Sequence, residues 1–318
     1  MNGNGFVERR TLRNETVGRN GDPAATGFVL ALMLVATGPV LAQMDFAGEW
    51  RNTGQQDVRD NPHIGEIVGL PLSEESIHRA ETYDQSILSF PEWQCRPHSA
   101  AYVKRDPSNL RISRITDPAN RNLIGYEMEW YRNVTVPIYM DGRSHPPEMA
   151  PHSWLGFSTA TWEGEKLRIT TTHMKENWYR RNGPPQSDAS MLTEYVMRRQ
   201  FRGRDYLTWV IIAYDDHYLT EPLIRSTEYQ DALNQQMTVY PCTPVTEVVW
   251  AEGYVPHFLP GQNEHFTNFS MAYGLPLNVM YDGAQTMYPE YRLKLGEYAK
   301  STSRTLEASS AEYARSRR

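Results

Sequence analysis

The residues best suited to chemistry lie between Met140 and Trp154, in the run MDGRSHPPEMAPHSW. Arg143, His145, Glu148 and His152 carry or exchange protons, and Pro146, Pro147 and Pro151 stiffen the backbone between them at little entropic cost. Imidazole titrates nearest neutrality, so His145 and His152 are candidate proton carriers, and His173, from a nearby strand, is the third. Arg143 is the candidate to pair with an anionic ligand or with charge that develops in a reaction. Tyr139, Asp141, Trp154, Tyr195 and Trp209 are the candidate ligand contacts. A plainer reading stands beside this one. Asp141, Arg143 and the histidines would then brace the loop, and His173 would be a hydrogen-bonded core residue.

Three histidines could converge on a metal, but the chain has neither HExxH nor a cysteine cluster, so no metal site is assigned. No GxSxG elbow, Walker A loop or GxGxxG fingerprint occurs. Serine-hydrolase, nucleotide and dinucleotide chemistry therefore lose their usual support, and no cofactor is expected.

Such a loop needs a rigid frame, and the sequence supplies strands. Between 110 and 230, eight apolar-rich segments alternate with turns: 110–116, 123–131, 134–140, 154–162, 166–174, 191–200, 205–214 and 223–230. Asp117 to Asn122, Glu163-Gly164-Glu165 and Arg202-Gly203-Arg204 read as hairpin turns. Alternation places Leu167, Ile169, Thr171 and His173 on one face, and Tyr126, Met128 and Trp130 on another, with Glu127 and Glu129 toward water. Eight consecutive strands can pair as an antiparallel up-and-down meander, and a sheet that long tends to close. A lipocalin-like barrel with helical flanks is the expected fold, wide enough to hold one small ligand, and a β-sandwich is the alternative. Before the strands, residues 43–108 form a lead-in. It holds a short strand at 44–50 and a helix opened by Pro71 and Ser73, with Ile77, Ala80, Tyr83 and Ile87 on its apolar side, ended by Phe90-Pro91. After 231 the chain reads as loop, then helix from Glu264 to Tyr273 stopped by Gly274, then helix from Pro289 to about Leu306.

The N-terminus reads as an export signal. Arginines precede the apolar run 27–36 (GFVLALMLVA), followed by Gly38-Pro39 and a cleavage-like Val40-Leu41-Ala42. That run is shorter than the roughly 20 residues needed to span a bilayer. Residues 1–42 are thus a removable segment, 43–318 a single domain, and the expected location is periplasmic or secreted, with no stable membrane span after cleavage. Arg9-Arg10 leaves Sec and twin-arginine export both open. The sequence has two cysteines, Cys95 and Cys242, which in an oxidising compartment read as one disulfide. Lys plus Arg number 32 against 38 Asp plus Glu, so the chain has no electrostatic reason to seek nucleic acid or anionic membranes. A small-molecule ligand or substrate is the expected partner.

Six short motifs carry a resemblance: PEWQCRPH at 91–98, MDGRSHP at 140–146, HSWLGFS at 152–158, WEGEKL at 162–167, RNGPP at 181–185 and YLTEP at 218–222. In these the chain resembles a group of largely uncharacterised exported bacterial proteins. The resemblance implies export and brings no catalytic residues with it. Three functions stay open: an exported barrel binding a partly apolar molecule, an isomerase, lyase or hydrolase using histidine acid–base chemistry in the same cavity, and an envelope protein that contacts another protein.

Overall fold

A computed structural model describes residues 44–55, 63–85, 94–104, 109–130, 134–233 and 251–297. The expected export segment 1–42 lies outside them, and so does Cys242, and with it the Cys95–Cys242 bridge. In chain order the elements are β1 (Gly48–Gln55), α1 (Glu74–Thr82), α2 (Ala100–Val103), β2 (Leu110–Thr116), β3 (Leu123–Trp130), β4 (Val134–Tyr139), β5 (Phe157–Glu163) and β6 (Lys166–Thr172). There follow β7 (Asn177–Trp178), β8 (Pro185–Gln186), β9 (Met191–Phe201), β10 (Arg204–Tyr214), β11 (Leu223–Asp231) and α3 (Glu264–Ala272). Two 3-10 turns, Leu277–Tyr281 and Gly283–Met287, lead to a helix over 289–297.

The protein is mainly β, and its principal sheet closes into a barrel ordered β1-β11-β10-β9-β6-β5-β4-β3-β2. All eight expected strands are present, and the sandwich alternative does not form. The ninth is β1, the lead-in strand, which pairs with β11 on one side and β2 on the other, Trp50 facing both Asp231 and Leu110. A closed ring with an odd number of strands cannot alternate direction throughout. One parallel pair is obligatory. It falls between β4 and β5, where Ile138 pairs with Ser158 and Tyr139 with Thr159. The meander is therefore antiparallel except at this seam, and the chemistry-bearing segment 140–156 is the excursion that joins the two sides of it.

Local chemistry explains the turns and caps. In the β2–β3 turn, Asp117 Oδ1 accepts from the Ala119 N–H and Asn120 Oδ1 from the Asn122 N–H, both at 2.8 Å. Ser73 caps α1 by accepting from the Ser76 N–H at 3.2 Å, with Glu74 and Glu75 favourably placed in the first turn. The helix stops at Thr82, earlier than its apolar pattern suggests. Tyr83 turns extended and makes a β-bridge with His257, which takes it out of the helical face.

Alternation fills the barrel. Leu110, Met128, Leu167, Ile169, Leu192, Val196, Leu207, Trp209 and Tyr229 point inward with no exposed surface. Side chains at that limit leave no water-sized space beside them. Trp130 and Trp209 meet edge to face at 5.4 Å, and Trp130 donates to the Tyr229 hydroxyl at 3.3 Å. Phe46 enters near the β5–β6 and β9–β10 turns and stacks on Trp162 at 5.3 Å. Where β6 and β10 finish, the chain packs α1, α2 and the β7–β8 ribbon. Asp215 ties that end together, accepting from Tyr179 Oη (3.1 Å), Ser187 N (2.8 Å) and Ser187 Oγ (2.8 Å), and from His217 N (3.2 Å) and Tyr218 N (3.3 Å). Burial, then the Asp215 charge, pushes the Tyr179 phenol well up, so it remains a donor. Asp215→Ala strands these donors and is expected to cost about 3 kcal/mol, the scale of a hydrogen bond to a buried charge. Urea denaturation measures it.

Candidate functional site

The excursion begins with a brace. Arg143 holds Asp141 through Nε–Oδ1 at 2.8 Å and Nη2–Oδ2 at 2.5 Å, and its guanidinium lies 3.7 Å above the Tyr139 ring. The Arg143 hydrogen bonds hold the Asp141 carboxyl down at about 2. Arg143 is thus engaged with its own loop. At the other end, Gly156 has φ 72°, and a Cβ there would sit 2.5 Å from the Thr172 carbonyl oxygen and 2.7 Å from Met174 Cγ. Only glycine lets the chain return so closely to β6.

Between these anchors the three candidate histidines come together on the outer face of β5 and β6. His145 Nε2 lies 2.7 Å from Thr159 Oγ1, and His145 Nδ1 lies 2.7 Å from Thr172 Oγ1. The same Thr172 hydroxyl is 2.7 Å from His173 Nδ1, and His173 Nε2 is 3.0 Å from the Pro147 carbonyl oxygen. His152 Nδ1 meets the Met174 carbonyl oxygen at 2.9 Å, and its ring sits edge to face with His173 at 5.2 Å.

The proton positions follow, because a carbonyl can only accept. His173 must donate from Nε2, so as a neutral ring it accepts at Nδ1 from the Thr172 hydroxyl. That hydroxyl then accepts from His145 Nδ1, and His145 Nε2 accepts from Thr159. His152 donates from Nδ1, leaving a lone pair on Nε2, which has no hydrogen-bond partner among the described residues. A proton added at His173 Nδ1 would reverse every bond back to Thr159. Four groups form one directional relay, and His152 stands beside it with a basic nitrogen open.

Burial, and secondarily the His173 charge, lowers the His145 pKa below its ordinary 6.5. Below about pH 6.5 the unfolded chain binds a proton that folded His145 resists, so its contribution to stability is present above that pH and lost as pH falls toward the folded value. The unfolding midpoint should fall between pH 7 and 5.5, and less so in His145→Gln, as thermal melts at each pH would show.

The expected inward alternation fails at His173. Its backbone is left-handed, φ 59°, which ends β6 and turns the ring away from the core toward Pro147. The other candidates are dispersed. Trp209 is wholly buried and donates to Glu194 at 2.8 Å, and Tyr195 lies on the outer wall with the Lys166 ammonium 4.8 Å from its ring. Trp154 is half-buried, with two cations close to its ring, Arg96 at 5.5 Å and Lys175 at 5.0 Å from the ring centre. Arg96 and Trp154 come from different motifs, 91–98 and 152–158, and meet here.

One polar network was not foreseen. Inside the barrel, Lys104 Nζ binds Glu194 Oε1 at 2.5 Å and Thr171 Oγ1 at 3.2 Å, with neither charged side chain exposed. Thr171 donates to Glu194 at 3.1 Å and contacts Ser158 Oγ at 2.8 Å. Glu194 stands on the inward face between Leu192 and Val196, and that lone acid in an apolar alternation was the available signal. Among the described residues, two open clefts lie at the helical end. One, of about 510 Å³, is bordered by Glu74, His78, Glu81 and Asp282. The other, of about 430 Å³, is bordered by Arg79, Tyr83, Trp178 and His257. Neither is lined by the histidine loop. Among the described residues no group of His, Cys, Asp and Glu is arranged to hold a metal, and no helix is long and apolar enough to cross a membrane. No protein-family model, curated protein or solved structure matches the chain.

Proposed function

We propose that the protein handles a small molecule by histidine acid–base chemistry on the barrel wall at the 140–156 loop, with His152 Nε2 as the atom that exchanges the proton. One observation carries this. His152 spends Nδ1 on the Met174 carbonyl, which fixes its tautomer and leaves a basic nitrogen outward, while His145 and His173 are tied into the relay that holds the loop. The filled interior favours the wall over the barrel lumen as the place of binding. The residues suit isomerisation, elimination or hydrolysis, in which a base removes a proton and delivers it to another atom of the substrate or to the leaving group.

The location we propose is periplasmic or secreted, after loss of residues 1–42, with Cys95 bridged to Cys242 as an oxidising compartment allows. The resemblance of its six motifs to those of exported bacterial proteins supports this location. A binding-only protein would use the same wall and leave its ligand unchanged. The two readings separate when the small-molecule fraction of the producing cells is incubated with the protein and followed by untargeted mass spectrometry. A compound should be consumed by the wild type and not by His152→Ala. Equal consumption by both rules out proton transfer by His152.

A further inference from the structure

We infer that the wall beside His152 is an oxyanion site, in which Arg96 and Lys175 bind a carboxylate or phosphate group of the molecule handled there. This deepens the reading above and rests on it for turnover of the bound molecule, though not for binding itself.

The chain carries more acids than bases, 38 against 32, so its cations have carboxylates to spare. Most described arginines near the barrel are paired: Arg79 with Glu176, Arg111 with Glu49, Arg114 with Asp45, Arg143 with Asp141, Arg198 with Asp205 and Arg199 with Glu228. Arg96 and Lys175 have no carboxylate partner among the described residues. The acid next in sequence to Lys175, Glu176, is held by Arg79 at 2.5 Å. Yet both cations sit on one indole, Trp154, so their charges are at most about 10.5 Å apart. Like charges gathered on one ring repel, and an anion between them removes the repulsion.

The arrangement is fixed by the backbone. Ser153 N donates to the His173 carbonyl at 3.0 Å, and Lys175 N donates to the Ser153 carbonyl at 2.8 Å. This parallel bridge holds Lys175 alongside Trp154, one residue beyond Met174, whose carbonyl orients His152. On the other side, Cys95 has left-handed φ 54° immediately before Arg96. Arginine offers a planar fork that grips two oxygens, and lysine adds a compact second charge. His152 is two residues before Trp154, so the proposed base and the anion site share one short segment of chain.

The test is NMR titration of the full chain with inorganic phosphate and, separately, acetate, at ionic strength matched with sodium chloride. The Trp154 indole N–H is the reporter, assigned by its loss in Trp154→Phe. We expect saturable shifts with at least one of the two anions, and at least tenfold weaker binding in Arg96→Gln and in Lys175→Gln. Saturation by phosphate alone or by acetate alone assigns the group, and either supports the site. No saturable shift with either, or shifts unchanged in both variants while their spectra remain folded, overturns it. His152→Ala separates this proposal from the reading on which it builds. Anion binding retained in that variant with turnover also retained ends the acid–base reading and leaves the oxyanion site standing.

Discussion

Lys104→Met is expected to destabilise the protein by about 3–5 kcal/mol, the cost of leaving one partner of a buried ion pair uncompensated. Lys104 is the C-cap of α2, and its ammonium reaches into the barrel to meet Glu194 at 2.5 Å with no exposure on either side chain. Removing it leaves a carboxylate among Leu192, Val196 and Trp209, still accepting from the Trp209 indole and Thr171 but without a counter-charge. Glu194→Gln alone should hurt for the opposite reason, because it strands the ammonium. The combined Lys104→Met, Glu194→Gln variant should recover most of the loss. No charge then remains, and the glutamine carbonyl can still accept from Trp209. Denaturant unfolding of the two single variants and the double one measures the coupling, and simple additivity would show that the pair is not acting as a unit.

Cys95→Ser is expected to cost up to about 5 kcal/mol, if the chain is bridged as proposed, because the cross-link would close a loop of almost 150 residues in the unfolded state. That bridge would tie the segment carrying Arg96 and α2 to the region beyond β11. Its loss should therefore weaken both the Lys104 anchor and the Trp154 site. The wild type in reductant should lose the same amount as Cys95→Ser, and the variant should be insensitive to reductant. Equal stability of oxidised and reduced wild type would contradict the bridge.

The barrel could be read from the sequence because its period is local. Alternation such as Tyr126, Met128 and Trp130 inward against Glu127 outward belongs to one strand and needs no partner to interpret. Closure was harder to read. Whether Gly48–Gln55 pairs with both β2 and β11 depends on residues about 60 and about 175 positions further along the chain, and the parallel seam follows only once the ninth strand is counted. The loop between Met140 and Trp154 stood out by residue type, and its two histidines, His145 and His152, do converge with His173. Their placement did not follow from pattern, because the left-handed turn at His173 rotates that ring off its strand face. Thr159 and Thr172 were unremarkable as isolated strand threonines and become relay members only through pairing of β5 with β6. Arg96 and Lys175 lie about 80 residues apart, and nothing in either neighbourhood points to the indole they share.

The most direct test is to locate the imidazole protons by long-range proton–nitrogen NMR of the folded protein near pH 7.5. The geometry requires His152 to carry its proton on Nδ1 with a bare, basic Nε2, and His173 to carry its proton on Nε2. A His152 ring protonated on Nε2, or on both nitrogens at that pH, would leave no base on the barrel wall and would contradict the proposed chemistry at its root.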